Sequence, residues 1–279
     1  MSPNLSASEQ LTHSTVRIEC EYSDGSTGVG TGFFFRFADD GDQHVPAIVT
    51  NRHVVQRAQR GVIHLNRVGP DGGPARGRHM GIVLDNFEQP WQGHPDAAVD
   101  LCAMPIAPLH REAESRGERI FYVGLDRSLI PNAQELNDLT ALEDLVMIGY
   151  PIGIWDPTYN QPIIRRGITA THPALDYEGR REFMIDAACF PGSSGSPVFL
   201  FNLGSYVNRS GAVVVGGTRV KLLGVLYAGP QYTAEGEIQI VNVPTHQRPM
   251  AVSRIPSNLG LVIRSERLLD FDAIFRSRN

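Results

Sequence analysis

Three short segments of this chain carry residue types that together can do acyl-transfer chemistry. The first is Phe190-Pro191-Gly192-Ser193-Ser194-Gly195-Ser196-Pro197, a serine framed by glycines on a tight turn that leads into the apolar Val198-Phe199. Small residues there let a substrate backbone approach closely and let the main chain take unusual dihedrals. Such a turn aims the N–H groups of Gly192 and Ser194 at one point, where they could hold a developing oxyanion. The second is Ala47-Ile48-Val49-Thr50-Asn51-Arg52-His53, an apolar strand running into a histidine, and the third is Asp100 at the head of Leu101-Cys102-Ala103-Met104. A serine hydroxyl is a weak nucleophile at its own pKa and needs a base beside it. Imidazole suits that work near neutral pH, and a buried carboxylate fixes its tautomer and steadies the imidazolium. Asp96, in His94-Pro95-Asp96-Ala97-Ala98-Val99, competes for the carboxylate role. Asp100 is preferred because it leads directly into a core strand, which leaves Asp96 as an exposed loop acid.

These segments have to be delivered by strands. Apolar runs are short and broken by a large supply of turn residues, 28 glycines and 19 prolines in 279 residues, which favours many short strands over long helices. Residues 1–13 are polar and read as a flexible N-terminus. Strand-like runs at 15–20, 28–36, 45–50, 61–68, 81–87 and 99–106 suit a first six-stranded antiparallel barrel over 14–107, bearing His53 and Asp100. Residues 108–144 read as a connector with about one helical turn. A second series at 145–150, 163–171, 182–187, 195–201, 212–226 and 237–241 suits a second six-stranded barrel over 145–263, bearing Ser194. Leu268, Leu269, Phe271 and Ile274 stand near helical spacing, so 264–279 is read as a short amphipathic C-terminal helix packed on the barrel. The fold class is therefore all-β, two barrels with a terminal helix. Residues 202–218 read as a mobile surface loop, or as a long hairpin able to contact a partner.

The chain resembles the trypsin-like (chymotrypsin-fold) serine peptidases of bacterial type, nearest in its motifs to the protease domain of HtrA/Deg enzymes. Gly30-Thr31-Gly32-Phe33-Phe34 resembles the hairpin leading to the histidine. Asp186-Ala187-Ala188 resembles the Asp-Ala-Ala ahead of the serine, and Val146-Met147-Ile148-Gly149-Tyr150-Pro151-Ile152-Gly153 resembles the Gly-x-Pro-x-Gly strand and turn. Arg166-Gly167-Ile168-Thr169-Ala170 resembles the strand that follows, and Gly195-Ser196-Pro197-Val198-Phe199 is also similar to glutamyl endopeptidases. The resemblance covers about residues 14–265 and no PDZ domain is expected. It implies a cleft between two barrels, with the triad His53, Asp100 and Ser194 and an oxyanion hole formed by Gly192 and Ser194. It also implies a substrate pocket with Ala188 at its base, Cys189 in its wall and Tyr227, Ala228 and Gly229 along the other edge. Ala188 carries no acid to receive Lys or Arg, and Leu226 stands where glutamyl endopeptidases place a histidine. The expected preference is for small or medium apolar residues at the cleavage position. Ser193 stands where digestive enzymes carry an aspartate for a freshly cut N-terminal amine, so activation of that kind is not expected.

Composition narrows the alternatives. The net charge of −5 offers no basic stripe for nucleic acid, and no apolar run approaches the roughly 18–20 residues that span a bilayer. The N-terminus lacks signal-peptide features and Cys20, Cys102 and Cys189 cannot all pair internally, which leads to a cytoplasmic expectation. His13, His44, His79, His110 and His246 read as surface residues, His64 as a packed one, and His94 and His172 as turn residues. None stands at metal-ligand spacing, so no metal and no cofactor are expected. Gly28-Val29-Gly30-Thr31-Gly32 reads as a hairpin and not as a nucleotide loop. The expected partner is a protein or peptide substrate, with any regulatory partner unknown. The rival reading is a non-catalytic or latent binding module on a protease fold.

Overall fold

The computed structural model describes residues 5–41, 43–229, 231–237, 250–256 and 258–276, with 231–237 and 250–256 in backbone only. In chain order the first half runs α1 (Ala7–Thr12), β1 (Thr15–Tyr22), β2 (Thr27–Phe37), β3 (Val45–Thr50), α2 (Arg52–Val55), β4 (Ala58–Val68), β5 (Pro74–Asp85), β6 (Gln92–Gly93) and β7 (Cys102–Pro105). Between the lobes come α3 (Ala107–Ser115), β8 (Ile120–Phe121), a 3-10 turn at Arg127–Leu129 and α4 (Ala133–Asn137). The second half runs β9 (Asp144–Gly149), β10 (Ile163–Thr169), β11 (Glu182–Asp186), β12 (Pro197–Asn202), β13 (Ser205–Val207), β14 (Val213–Val215), β15 (Arg219–Ala228), β16 (Gln231–Glu237), β17 (Met250–Pro256) and β18 (Leu259–Arg264). It closes with a 3-10 segment Ser265–Phe271 and α5 (Asp272–Arg276).

All six strands read for the first lobe are present, but where a six-stranded barrel was expected they belong to an eight-stranded antiparallel sheet ordered β5-β4-β1-β2-β3-β7-β6, with β8 added on β4 and no pairing among the described residues between the two ends of that order. The second lobe is a closed six-stranded antiparallel barrel, β10-β11-β18-β15-β12-β9. Glycines make the first sheet close-packed. A Cβ on Gly30 would stand 2.4 Å from Val54, and one on Gly61 would stand 2.3 Å from the Phe87 ring. Ile18, Ile48, Ile63 and Phe87 fill the first lobe, while Phe183, Ile185, Val198 and Val262 fill the barrel. A third cluster joins the lobes: Phe33, Phe35, Phe37 and Val49 meet Ile148, Phe199, Val225 and Ile263, with Phe271 and Phe275 from the chain's end.

Several expectations are corrected. Residues 7–12, read as part of a flexible N-terminus, form α1, because Ser6 and Glu9 make a reciprocal capping box and Leu11 is buried. The connector holds two helices instead of one turn, the second again fixed by a capping box between Asn132 and Glu135. The C-terminal segment is mostly 3-10 before its last α turn, which points both Phe271 and Phe275 at Phe37 (ring centroids 5.5 and 5.0 Å). The run 212–226 divides into the hairpin strand β14 and the barrel strand β15, so 205–215 is a hairpin and not a loop. Of the strand read at 237–241 only residue 237 is described, at the end of β16, which pairs with β17. His13 is buried, and its Nδ1 lies 3.2 Å from Asn66 Nδ2. His44 is exposed as read, whereas His79 and His110 are half-buried. His246 lies outside the described residues.

Because Phe271 is buried in the cluster shared by both lobes, Phe271→Ala is expected to destabilise the protein by about 3–5 kcal/mol. Urea unfolding followed by tryptophan fluorescence and by far-UV circular dichroism should show both transitions shifting together.

Candidate active site

Adjacent antiparallel strands deliver the histidine and the aspartate to one sheet edge. Thr50 at the end of β3 pairs with Cys102 at the start of β7, so the residues just after β3 and just before β7 emerge together. Asn51 is fully buried and its side-chain amide donates to the Asp100 carbonyl at 2.8 Å. Asp100 then receives two bonds from His53: the backbone N–H at 3.0 Å to Oδ1, and Nδ1 at 2.5 Å to Oδ2. A carboxylate oxygen can only accept, so the proton of the neutral ring resides on Nδ1 and Nε2 is left basic. The imidazole is 46% exposed and the carboxylate 21% exposed, so the aspartate is half-buried and the basic face of the ring is open to a ligand.

Asp96 is committed elsewhere. Its Oδ1 accepts from the Ala98 N–H at 3.0 Å and its Oδ2 from Arg267 at 2.8 Å. Those bonds, led by the one from Ala98, hold its carboxyl below the usual range. His94, read as a turn residue, is a buried anchor for the chain's end. Its Nε2 stands 3.1 Å from both the Arg267 carbonyl and Asp270 Oδ2.

The serine turn is bent by two glycines in the left-handed region, Gly192 and Gly195, both at φ +85°. No side chain fits at either. A Cβ on Gly195 would lie 1.9 Å from the Thr31 carbonyl oxygen, and one on Gly192 would lie 2.6 Å from the Tyr150 oxygen. Ser193 N–H donates to the Phe190 carbonyl, Gly195 N–H to Leu226 and Ser196 N–H to Ser193. Among the described residues the N–H groups of Gly192 and Ser194 have no protein acceptor, and the Ser194 hydroxyl makes no hydrogen bond to His53. Such contacts commonly tighten only when substrate binds.

Thr31 carries the two halves of the site. Its N–H donates to the Ser194 carbonyl at 2.9 Å and its carbonyl accepts from Thr50 Oγ1 at 2.7 Å. Its Oγ1 donates to the Gly192 carbonyl and accepts the Tyr150 N–H, both at 3.0 Å. One buried residue of the first lobe is thereby tied to the end of β3, which leads to His53, and to the serine turn and Tyr150 of the second lobe. Sequence reasoning noticed the Gly-Thr-Gly motif but gave Thr31 no role.

The residues read as a substrate pocket lie near the turn. Ala188 and Cys189 are half-buried, and burial pushes the Cys189 thiol up to about 11. Ala228 ends β15 and Gly229 follows it, where a Cβ on Gly229 would meet the Leu259 carbonyl at 2.7 Å. Tyr227 is also half-buried, but its hydroxyl donates to Glu182 at 2.8 Å, so that polar tip is already in use. Leu226 is buried in the barrel core. Cys20, Cys102 and Cys189 are all free, where their odd number required only that one be unpaired. Among the described residues no group of three or more metal-ligating side chains occurs, and no helix is long and apolar enough to cross a membrane.

A second cluster braces the turn from the far side. The Ile152 N–H donates to the Pro191 carbonyl at 2.5 Å. Further along the same loop, Trp155 packs edge-on to His64 (ring centroids 5.0 Å) and His79 (5.8 Å), beneath the Arg17 guanidinium (4.8 Å). Burial first, then Arg17, press His64 down to about 4, against the Glu19 carboxylate 3.1 Å from its Nε2.

The family model described as the Trypsin-like peptidase domain matches residues 30–207, a span that holds His53, Asp100 and Ser194. Among solved structures the chain is similar to an inactive-form mutant of Rv3671c from M. tuberculosis H37Rv (14% identity, 96% of this chain and 88% of that chain, TM-score 0.44). It is also similar to the active form of the Rv3671c protease from M. tuberculosis (17% identity, 92% and 78%, TM-score 0.41). A further similar structure is the HtrA-type protease AlgW with tripeptide (15% identity, 96% and 60%, TM-score 0.44). No curated protein matches the chain.

Two outcomes are expected from this geometry. Thr31→Val keeps the shape but strands the Tyr150 N–H and the Gly192 carbonyl, and should lower stability by about 1–3 kcal/mol in denaturant titration. The depressed His64 resists a proton that the unfolded chain accepts near the usual 6.5. Its stability contribution is therefore complete above that pH and is lost as pH falls toward about 4. Melting temperatures measured across this window should decline, and less steeply in His64→Gln.

Proposed function

This chain belongs to the trypsin-like peptidase domain family, and from that premise we propose that it is a serine endopeptidase working through an acyl-enzyme. In this reading Ser194 Oγ attacks the scissile carbonyl while His53 Nε2 takes its proton. Asp100 holds the ring by Nδ1 and stabilises the imidazolium. The Gly192 and Ser194 N–H groups receive the oxyanion as the carbonyl carbon becomes tetrahedral. Collapse expels the amine, which takes the proton back from His53, and the acyl group stays on Ser194. Water then enters, His53 deprotonates it, and a second tetrahedral intermediate releases the acid and regenerates the serine.

The observation that carries this reading is the 2.5 Å bond from His53 Nδ1 to Asp100, on a ring whose Nε2 face is exposed. Asp96, engaged by Arg267 and Ala98, is the weaker candidate for the carboxylate role. Specificity for small or medium apolar residues fits an uncharged Ala188 at the pocket base. The exposed Ile152, Ile154 and Phe190 around the turn fit it as well. Ala188 itself offers no carboxylate to a cationic substrate side chain, which is costly to bury without a partner.

The test is labelling by a fluorophosphonate, followed by profiling on a peptide library. The wild type should label, Ser194→Ala and His53→Ala should not, and Asp100→Ala should fall by several orders of magnitude in turnover. Asp96→Ala should remain near wild type. Robust cleavage after Lys, Arg or Glu would refute the pocket assignment. A wild type that stays unlabelled even with cell extract added would refute the enzymatic reading in favour of a silent binding module.

A further inference from the structure

Beneath the serine turn lies a buried cation with no counter-ion among the described residues. Arg165 sits on β10 opposite Met147 of β9, and it is 9% exposed. Along β10 the side chains of Ile164, Arg166 and Ile168 are exposed, while that of Arg165 enters the end of the barrel under residues 188–193. Its Nη1 donates to the Ala188 carbonyl at 2.6 Å and to Ser193 Oγ at 2.7 Å. Ser193 is itself 1% exposed, and its Oγ also lies 3.3 Å from the Phe190 nitrogen as acceptor. A single guanidinium nitrogen therefore spans both ends of the segment that leads into the nucleophile. Arg165 Nε and Nη2 are sealed from solvent and have no acceptor among the described residues. The ion pairs of the described residues include none made by Arg165.

Such an arrangement is expensive. A buried charge without a partner costs several kcal/mol in the effective terms that apply inside proteins, and an apolar side chain of similar volume would fill the barrel end at less cost. The burial itself presses the guanidinium down to about 10. Local choices that conflict with stability are concentrated where a site must be held in one geometry. What Arg165 holds is specific. With Ala188 and Ser193 fixed, and the Ser193 N–H on Phe190, the turn has no slack with which to rotate the Gly192 peptide. The two N–H groups without acceptors then stay aimed at one side.

We infer that Arg165 is a positioning residue for the nucleophile turn, acting through Ser193 Oγ and the Ala188 carbonyl to keep the Gly192 and Ser194 N–H groups preorganised. The catalytic consequence rests on the endopeptidase reading, whereas the ordering of the turn does not. Arg165 touches neither substrate nor reacting atoms, and its charge is spent on main-chain and hydroxyl acceptors inside the barrel.

The test is hydrogen exchange by mass spectrometry on wild type, Arg165→Met, Ser193→Ala and the double variant, with melting temperatures alongside. In Arg165→Met, amides in 188–194 should exchange at least about tenfold faster, while β1–β4 of the first lobe stay unchanged and the melting temperature does not fall. In turnover of a peptide amide, kcat should drop on the order of 10²-fold, with KM within a few-fold. Ser193→Ala should show part of this loss, and the double variant no more than Arg165→Met alone, since both act through one contact. Arg165→Lys keeps the charge, but its ammonium ends one bond short of the Nη1 that makes both contacts, so it cannot hold the two acceptors at the same place. It should show the same localised exchange, and it replaces Arg165→Met as the test variant if that protein does not fold. Unchanged exchange at 188–194, or loss of activity that merely tracks loss of stability, would overturn the inference. The exchange measurement reads out even in a protein with no activity. An inactive wild type would thus count against the endopeptidase reading and leave the ordering role to be judged separately.

Discussion

The hydrogen bonds of Thr31 are the constraint on which the rest of the site depends. One buried residue on β2 is bonded to Ser194, Gly192, Tyr150 and Thr50. Each such bond contributes a modest net amount, about 0.5–1.5 kcal/mol, yet leaving any one unmade strands a buried polar group at greater cost. The packing around it is equally exacting. Gly149 and Gly195 are glycines because a Cβ on either would fall within 2.1 Å of a neighbouring oxygen. The serine turn can occupy only the place that Thr31 leaves for it.

From that clamp the chemistry follows through short connections. Thr50, bonded to Thr31, is followed at once by Asn51, which fixes Asp100, and by His53, which Asp100 orients. The phenylalanine-rich cluster between the lobes supplies the non-directional part of the same docking, and the chain's own end, held by His94 and Phe37, seals it. Behind the turn, Arg165 and the Ile152 N–H grip its other side. The proposed acyl transfer needs donors that do not reorganise as charge develops, and the bonds from Thr31, Arg165 and Ile152 are the contacts that would hold the Gly192 and Ser194 N–H groups in place.

Much of this was legible in the sequence where the signal is local. His53 and Asp100, which the fold brings into hydrogen-bond contact, each stand at the junction of an apolar run with polar residues, and short apolar runs bounded by turn residues marked six of the eight strands of the first sheet, leaving out the two-residue β6 and β8. What escaped depends on three-dimensional company. Arg165 and Arg166 are neighbours of identical type, and only the alternation of a closed barrel buries one and exposes the other. Thr31 looks like a spacer between glycines until the second lobe docks on it. Helix α1 is six residues long and mostly polar, too short for periodicity to register. Its Ser6–Glu9 capping box was the one cue available. The last segment has helical spacing but winds as 3-10, since packing of Phe271 and Phe275 on Phe37 overrides intrinsic preference.

The most direct measurement is intact-protein mass spectrometry after brief mixing with an activated ester, p-nitrophenyl acetate, and an acid quench. A covalent intermediate built by this geometry predicts one acetyl group per chain, located by peptide mapping on Ser194 and absent in His53→Ala. No adduct, or an adduct on a residue other than Ser194, would contradict an acyl-transfer site at the meeting of the two lobes.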